Sequence, residues 1–121
     1  MRERRFLKAA ALTALMAMLA GCARSETDPD PGRFVGQSLA TALENLGSPN
    51  VIDVSESVVG IQPAYNGGAD PAEWIVVVGC YAPNPQHASD VAVIPKASVT
   101  AAIRAAAKRG EFDRYVPSCD R

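Results

Sequence analysis

The chain is short of the residues that most often carry chemistry. Among 121 residues it has one histidine, His87, one tryptophan, Trp74, and three cysteines, Cys22, Cys80 and Cys119. Two or three widely spaced thiols and a single imidazole do not make a tetrahedral metal set, whose ligands come in close pairs. No metal and no cofactor is therefore expected. Positive charge is scarce past the first segment. Residues 22–121 carry eight basic and twelve acidic side chains with no basic stripe. This argues against a nucleic-acid partner and against an electrostatic membrane patch. No apolar run reaches the roughly 20 residues that a spanning helix needs. Gly67-Gly68 lacks the Lys-Ser or Lys-Thr that follows in a phosphate loop, so it reads as a turn.

What the chain does have begins at its N-terminus. Arg2, Arg4, Arg5 and Lys8 stand against Glu3, and residues 9–20 are apolar apart from Thr13. A basic start followed by about a dozen apolar residues is the pattern of a signal peptide, too short for a membrane span. The run closes on Leu19-Ala20-Gly21-Cys22, which resembles the lipobox of bacterial lipoproteins at all four positions. That resemblance implies cleavage before Cys22 and a diacylglyceryl thioether on its sulfur. The product would be lipid-anchored to the cell membrane on its extracytoplasmic face. Each buried methylene of the acyl chains contributes about 0.8 kcal/mol to anchoring. The alternative is an ordinary secretory signal with an incidental cysteine. Arg4-Arg5-Phe6-Leu7-Lys8 also resembles part of a twin-arginine export signal, although the apolar segment favours general secretion.

The expected organisation is a signal peptide at 1–21, a lipidated cysteine and flexible tether at 22–33, and one globular domain at 34–121. Residues 23–32 are polar, hold two prolines and show no apolar periodicity. With Cys22 lipidated, Cys80 and Cys119 remain, and an even count outside the cytoplasm reads as a disulfide. A bridge between them closes a loop of about forty residues, worth about 4 kcal/mol in the chain-entropy model. It would pin the C-terminus to the body of the domain. Free thiols or an intermolecular bridge are the alternatives.

Within the domain, Ser38 is placed to cap a helix carrying Leu39, Ala42, Leu43 and Leu46 at steps of three and four, stopped by Gly47 and Pro49. Residues 50–57 read as one strand with Ile52 and Val54 on its buried face, and Val58 and Val59 follow. Residues 62–72 read as a loop. Residues 73–81, with Trp74-Ile75-Val76-Val77-Val78, form the clearest strand, and so continuous a run implies burial on both faces or a central position. Pro83-Asn84-Pro85 breaks it, and residues 91–94 form a third strand. A second helix is expected from Ser98 as cap to about Arg109, with Val99, Ala102, Ile103 and Ala106 as its apolar stripe. Phe112, Tyr115 and Val116 are the expected anchors of the tail. The fold class is therefore α+β, a small three-stranded, mostly antiparallel sheet packed by one or two helices.

The stretch Val35-Gly36-Gln37-Ser38-Leu39-Ala40-Thr41-Ala42-Leu43-Glu44-Asn45-Leu46-Gly47 resembles the opening of a PASTA domain. The following strand, the Trp74 strand with its Ala82-Pro83 turn, and residues 91–94 are similar to the rest of that unit. The resemblance covers about residues 34–94. Cys80 and the helix and tail beyond residue 98 depart from the pattern. The resemblance implies a non-enzymatic module that binds cell-wall peptidoglycan fragments or an envelope protein, and it carries over no ligand-binding residues.

Side chains that suggest chemistry have plainer readings. His87 with Ser89 or Asp90 suggests a hydrolytic set, yet neighbours in a loop rarely reach triad geometry, and a solvated histidine is the simpler reading. Asp53, Glu56, Asp70 and Glu73 suggest paired carboxylates but read as exposed charges. Trp74 reads as core filler rather than an aromatic platform. Arg104, Lys108 and Arg109 read as a solvated helix face rather than a site for an anionic polymer. No catalytic residue is assigned. The leading function is a membrane-anchored binding or interaction module. The alternatives are a small secreted enzyme or enzyme inhibitor, and a purely structural envelope lipoprotein.

Overall fold

The computed structural model describes residues 29–82 and 86–120. The expected signal peptide, Cys22 with its lipidation, most of the tether and the break at residues 83–85 lie outside the described residues. The architecture is α+β, with a three-stranded mixed sheet between two apolar layers.

Ser38 caps helix α1, Leu39–Leu46, by accepting from the Thr41 amide, and Gly47 ends the helix at φ 74°. Leu39 and Ala42 are fully buried, as their spacing requires. Strand β1, Asn50–Asp53, is only four residues long. Here the expected strand over residues 50–57 is corrected, because the chain turns at Val54 into helix α2, Ser55–Val59, closed by Gly60 in the left-handed region. The Asp53 carboxylate accepts from the Ser55 amide at 2.9 Å and from the Ser55 hydroxyl, which ends the strand and starts the turn. Val54 is buried as expected, but not as part of a strand.

Strand β2, Trp74–Tyr81, and strand β3, Ser89–Pro95, are antiparallel, while β1 runs parallel to β3, giving the order β1-β3-β2. The central position thus belongs to β3 rather than β2. Alternation sends Val91 and Val93 to one face and Ala92 and Ile94 to the other. A bulge between Val76 and Val78 inserts Val77, so Val77 and Val78 both pack on the same side.

Residues Trp74 to Val78 are nonetheless buried in succession. The outer edge of β2 is covered by the chain just before α1. The Gly36 amide donates to Val76 O at 2.7 Å, the Val76 amide donates to Gln37 O at 2.9 Å, and Ser38 bridges Ile75. This covering segment begins with a 3-10 turn, Pro31–Phe34, in which Pro31 and Phe34 are buried. The packed domain therefore takes in Pro31, ahead of the boundary expected at residue 34. Gly79 makes this possible, because an added Cβ there would lie 2.7 Å from the Pro31 carbonyl carbon.

One apolar layer joins Phe34, Leu39 and Ala42 to Trp74, Val76, Val91 and Val93. The other joins Val77, Val78, Ala92 and Ile94 to Ala107, Val116 and Cys119. Ala107 belongs to helix α3, Ala101–Lys108, whose cap is Thr100, accepting from the Ile103 amide at 3.1 Å. Ser98 instead closes a 3-10 turn, Lys96–Ser98, that follows Pro95. Val99 lies before the helix, and within the helix Ala107 is buried, Ile103 and Ala106 are half-buried and Ala102 is exposed. The expected stripe is corrected accordingly. Val116 is fully buried, with Phe112 and Tyr115 packed beside it, as the tail anchors were expected to be.

Candidate functional site

Cys80 and Cys119, 39 positions apart in sequence, are joined by a disulfide with Cα atoms 5.6 Å apart. This brings the tail against the far end of β2, where the chain also enters the domain. A cleft of about 570 Å³ opens at this junction. One wall is Asp30 with Gly79, Cys80 and Tyr81. The other is Gly110, Glu111, Asp113, Arg114, Cys119 and Asp120.

The lining is mostly polar and predominantly acidic. Glu111 is neutralised by Arg109 at 2.6 Å. The Arg114 guanidinium lies over the Tyr115 ring, 4.9 Å from its centroid, and donates to the Tyr115 hydroxyl at 2.9 Å. Asp30 accepts from the Gly32 amide at 3.0 Å. Burial, and then the negative charge of Asp120, push the Asp113 carboxyl above its usual value. Such a surface suits an amine or another cationic group rather than an anion. Sequence reasoning did not single out Asp30, Asp113 or Asp120. They meet only because the disulfide and the edge-covering segment bring three distant stretches together, and the only sequence signal was the cysteine pair itself.

The residues that were singled out have other tasks. Asp90 is nearly buried, accepts from Asn50 Nδ2 at 3.1 Å and accepts from the Ser118 hydroxyl. His87 Nδ1 lies 3.2 Å from the Ser48 carbonyl oxygen, which only accepts, so that nitrogen carries the proton. Neither residue lines the cleft. Ser89 is buried in β3.

Asp53 accepts from the Ala64 and Tyr65 amides at 2.7 and 2.8 Å, besides its bonds from Ser55. Asp70 caps the 3-10 turn Pro71–Glu73, while Glu56 and Glu73 are exposed. Trp74 is core, 8% exposed, with its ring edge-on to Tyr65 at 5.2 Å. Gly67 and Gly68 sit in a turn. Arg104 is half-buried and donates to the Gly36 carbonyl, Lys108 lies alongside the same glycine, and Arg109 is held by Glu111. Arg104 and Lys108 thus share a contact at Gly36, apart from the Arg109–Glu111 pair.

Among the described residues no His, Cys, Asp and Glu cluster could hold a metal ion, and no helix is long and apolar enough to cross a membrane. No model of a known protein family matches the chain, and no curated protein or solved structure does so either.

Proposed function

We propose that the chain is a lipid-anchored lipoprotein of the extracytoplasmic membrane face. Its PASTA-like domain works as a non-enzymatic binding module for a peptidoglycan fragment or an envelope protein. The observation that carries the reading is Leu19-Ala20-Gly21-Cys22 at the end of an apolar segment with a basic start. The Cys80–Cys119 disulfide supports an oxidising compartment. His87 and Asp90 are engaged separately, which supports a binding role over a hydrolytic one.

The cleft is the site best suited to the ligand. Asp30, on its edge, stands eight positions after Cys22. A fully extended chain of that length spans at most about 30 Å. The cleft is then held close to the bilayer, which favours ligands found near the membrane surface. Its carboxylates favour an amino group on the ligand.

Intact-mass measurement of the protein from native membranes tests the anchor, and muropeptide titration of the same protein tests the cleft. A diacylglyceryl mass on a chain beginning at Cys22 is expected, with binding weakened in the Asp113→Asn, Asp120→Asn double variant. Cys22→Ser should release the protein or trap its precursor. An unmodified chain in the soluble fraction overturns the anchor, and with it the case for an envelope binding role.

A further inference from the structure

The disulfide and the cleft share atoms, since Cys80 and Cys119 line it from opposite walls. The β2 wall is fixed by the sheet, where Cys80 stands opposite Asp90 in register. The tail wall has no place in the sheet. Up to Val116 it is held by Phe112, Tyr115 and Val116 against the core, but beyond Val116 only the disulfide and the bond from Ser118 to Asp90 fasten it to the sheet. Asp30 stands on one wall and Asp113, Arg114 and Asp120 on the other, with no hydrogen bond or ion pair between these side chains across the cleft among the described residues.

We infer that the Cys80–Cys119 bond is a redox latch for this cleft, opened by a dithiol reductant that reaches the sulfurs through the cleft itself. The inference rests on reading the cleft as the ligand site. Cys80 is half-buried and Cys119 is buried, so the reductant's thiolate attacks Cys80 Sγ. The S–S bond breaks, a mixed disulfide forms at Cys80, and Cys119 leaves as a thiolate that takes up a proton. The reductant's second thiol then attacks its own sulfur in the mixed disulfide. Cys80 departs as a thiolate and is protonated, and the reductant ends as a disulfide. Two electrons and two protons have passed to the protein. Residues 117–120 then part from β2, and the cleft loses the Cys119 and Asp120 end of that wall. A ligand in the cleft covers the same sulfurs and slows their reduction; loss of the Cys119 and Asp120 contacts weakens its binding to the reduced form, and by linkage the bound ligand disfavours reduction by that same factor.

The test exposes the full chain, without denaturant, to a purified thioredoxin-type dithiol enzyme. Alkylation mass shifts read the thiols, and amide exchange reads the tail. Both cysteines should alkylate, and exchange in residues 118–120 should quicken by about tenfold or more while β1 and β3 stay protected. The Cys80→Ser, Cys119→Ser double variant should show the open-tail pattern with no reductant. Alkylation only in denaturant, or loss of protection across the whole domain at once, makes the bond a plain structural staple and overturns the latch. Failure of the oxidised protein to bind muropeptides is a separate result, which sinks the proposed ligand while the exchange measurement still decides the latch.

Discussion

The Ser118 hydroxyl donates to Asp90 Oδ2, tying the C-terminal tail to the central strand. The other carboxylate oxygen accepts from Asn50 Nδ2. One nearly buried side chain therefore joins the tail, β3 and β1. Asp90→Ala strands both donors and should cost about 2–3 kcal/mol. Asp90→Asn, which keeps the shape and one acceptor, should cost less. Denaturant titration at neutral pH checks this, and an Asp90→Ala variant as stable as wild type would refute the tie.

Asp53 holds the loop after α2 against the end of β1. Burial acts to raise its pKa, but the Ser55 hydroxyl and the amides of Tyr65, Ser55 and Ala64 outweigh that and hold it below the ordinary value. A carboxyl depressed in the folded state contributes stability that is complete above the unfolded value of about 3.8. The contribution is lost as pH falls through the folded value. Asp53→Asn should therefore be less stable than wild type at neutral pH by about 1–2 kcal/mol. The gap should close on acidification below about pH 4. Urea melts across that range are the measurement, and a pH-independent gap would show that the charge is not what holds the loop.

Asp113 has the opposite sign. Burial and the neighbouring Asp120 raise its folded pKa, so ionisation works against the fold at neutral pH and ceases to do so once the group is protonated. Asp113→Asn should melt slightly above wild type at neutral pH, by no more than about 0.5 kcal/mol for so solvated a position. The two proteins should coincide in acid. A lower melting temperature for the variant at neutral pH would contradict this.

At Gly79 the constraint is space. A Cβ would press on the Pro31 carbonyl and lie 3.2 Å from the Gly32 nitrogen, and all of these neighbours are backbone. Gly79→Ala should cost about 1–3 kcal/mol. It should also speed amide exchange at Gly36 and Val76, whose bonds hold the covering segment to β2. Unaltered exchange at both amides would show that the segment tolerates the added methyl.

Local chemistry made some of this fold legible and long-range contact hid the rest. Ser38, the Leu spacing and Gly47 marked α1 at both ends, and the run at Trp74 marked β2, because each signal lies within one element. Residues 50–59 misled because Val58 and Val59 favour a strand on their own. The counter-signals were Asp53 two residues before Ser55, and Gly60 after Val59, a turn at one end and a helix stop at the other. Ser98 is the better cap as a residue, and the 3-10 turn after Pro95 that takes it up left the role to Thr100. The cysteine pair showed that the tail returns to β2. The cleft formed there stayed hidden because its carboxylates are adjacent only in space.

The segment through Gly36, Gln37 and Ser38 has a consequence for self-association. It occupies the outer edge of the most apolar strand in the domain. A free edge of that composition is a template for another chain. Proteolysis after Ser38 would remove no part of the three-stranded sheet, yet it would leave Trp74 to Val78 open to pairing with the same strand of a second molecule. Residues 36–38 thus also keep copies of the domain from joining edge to edge.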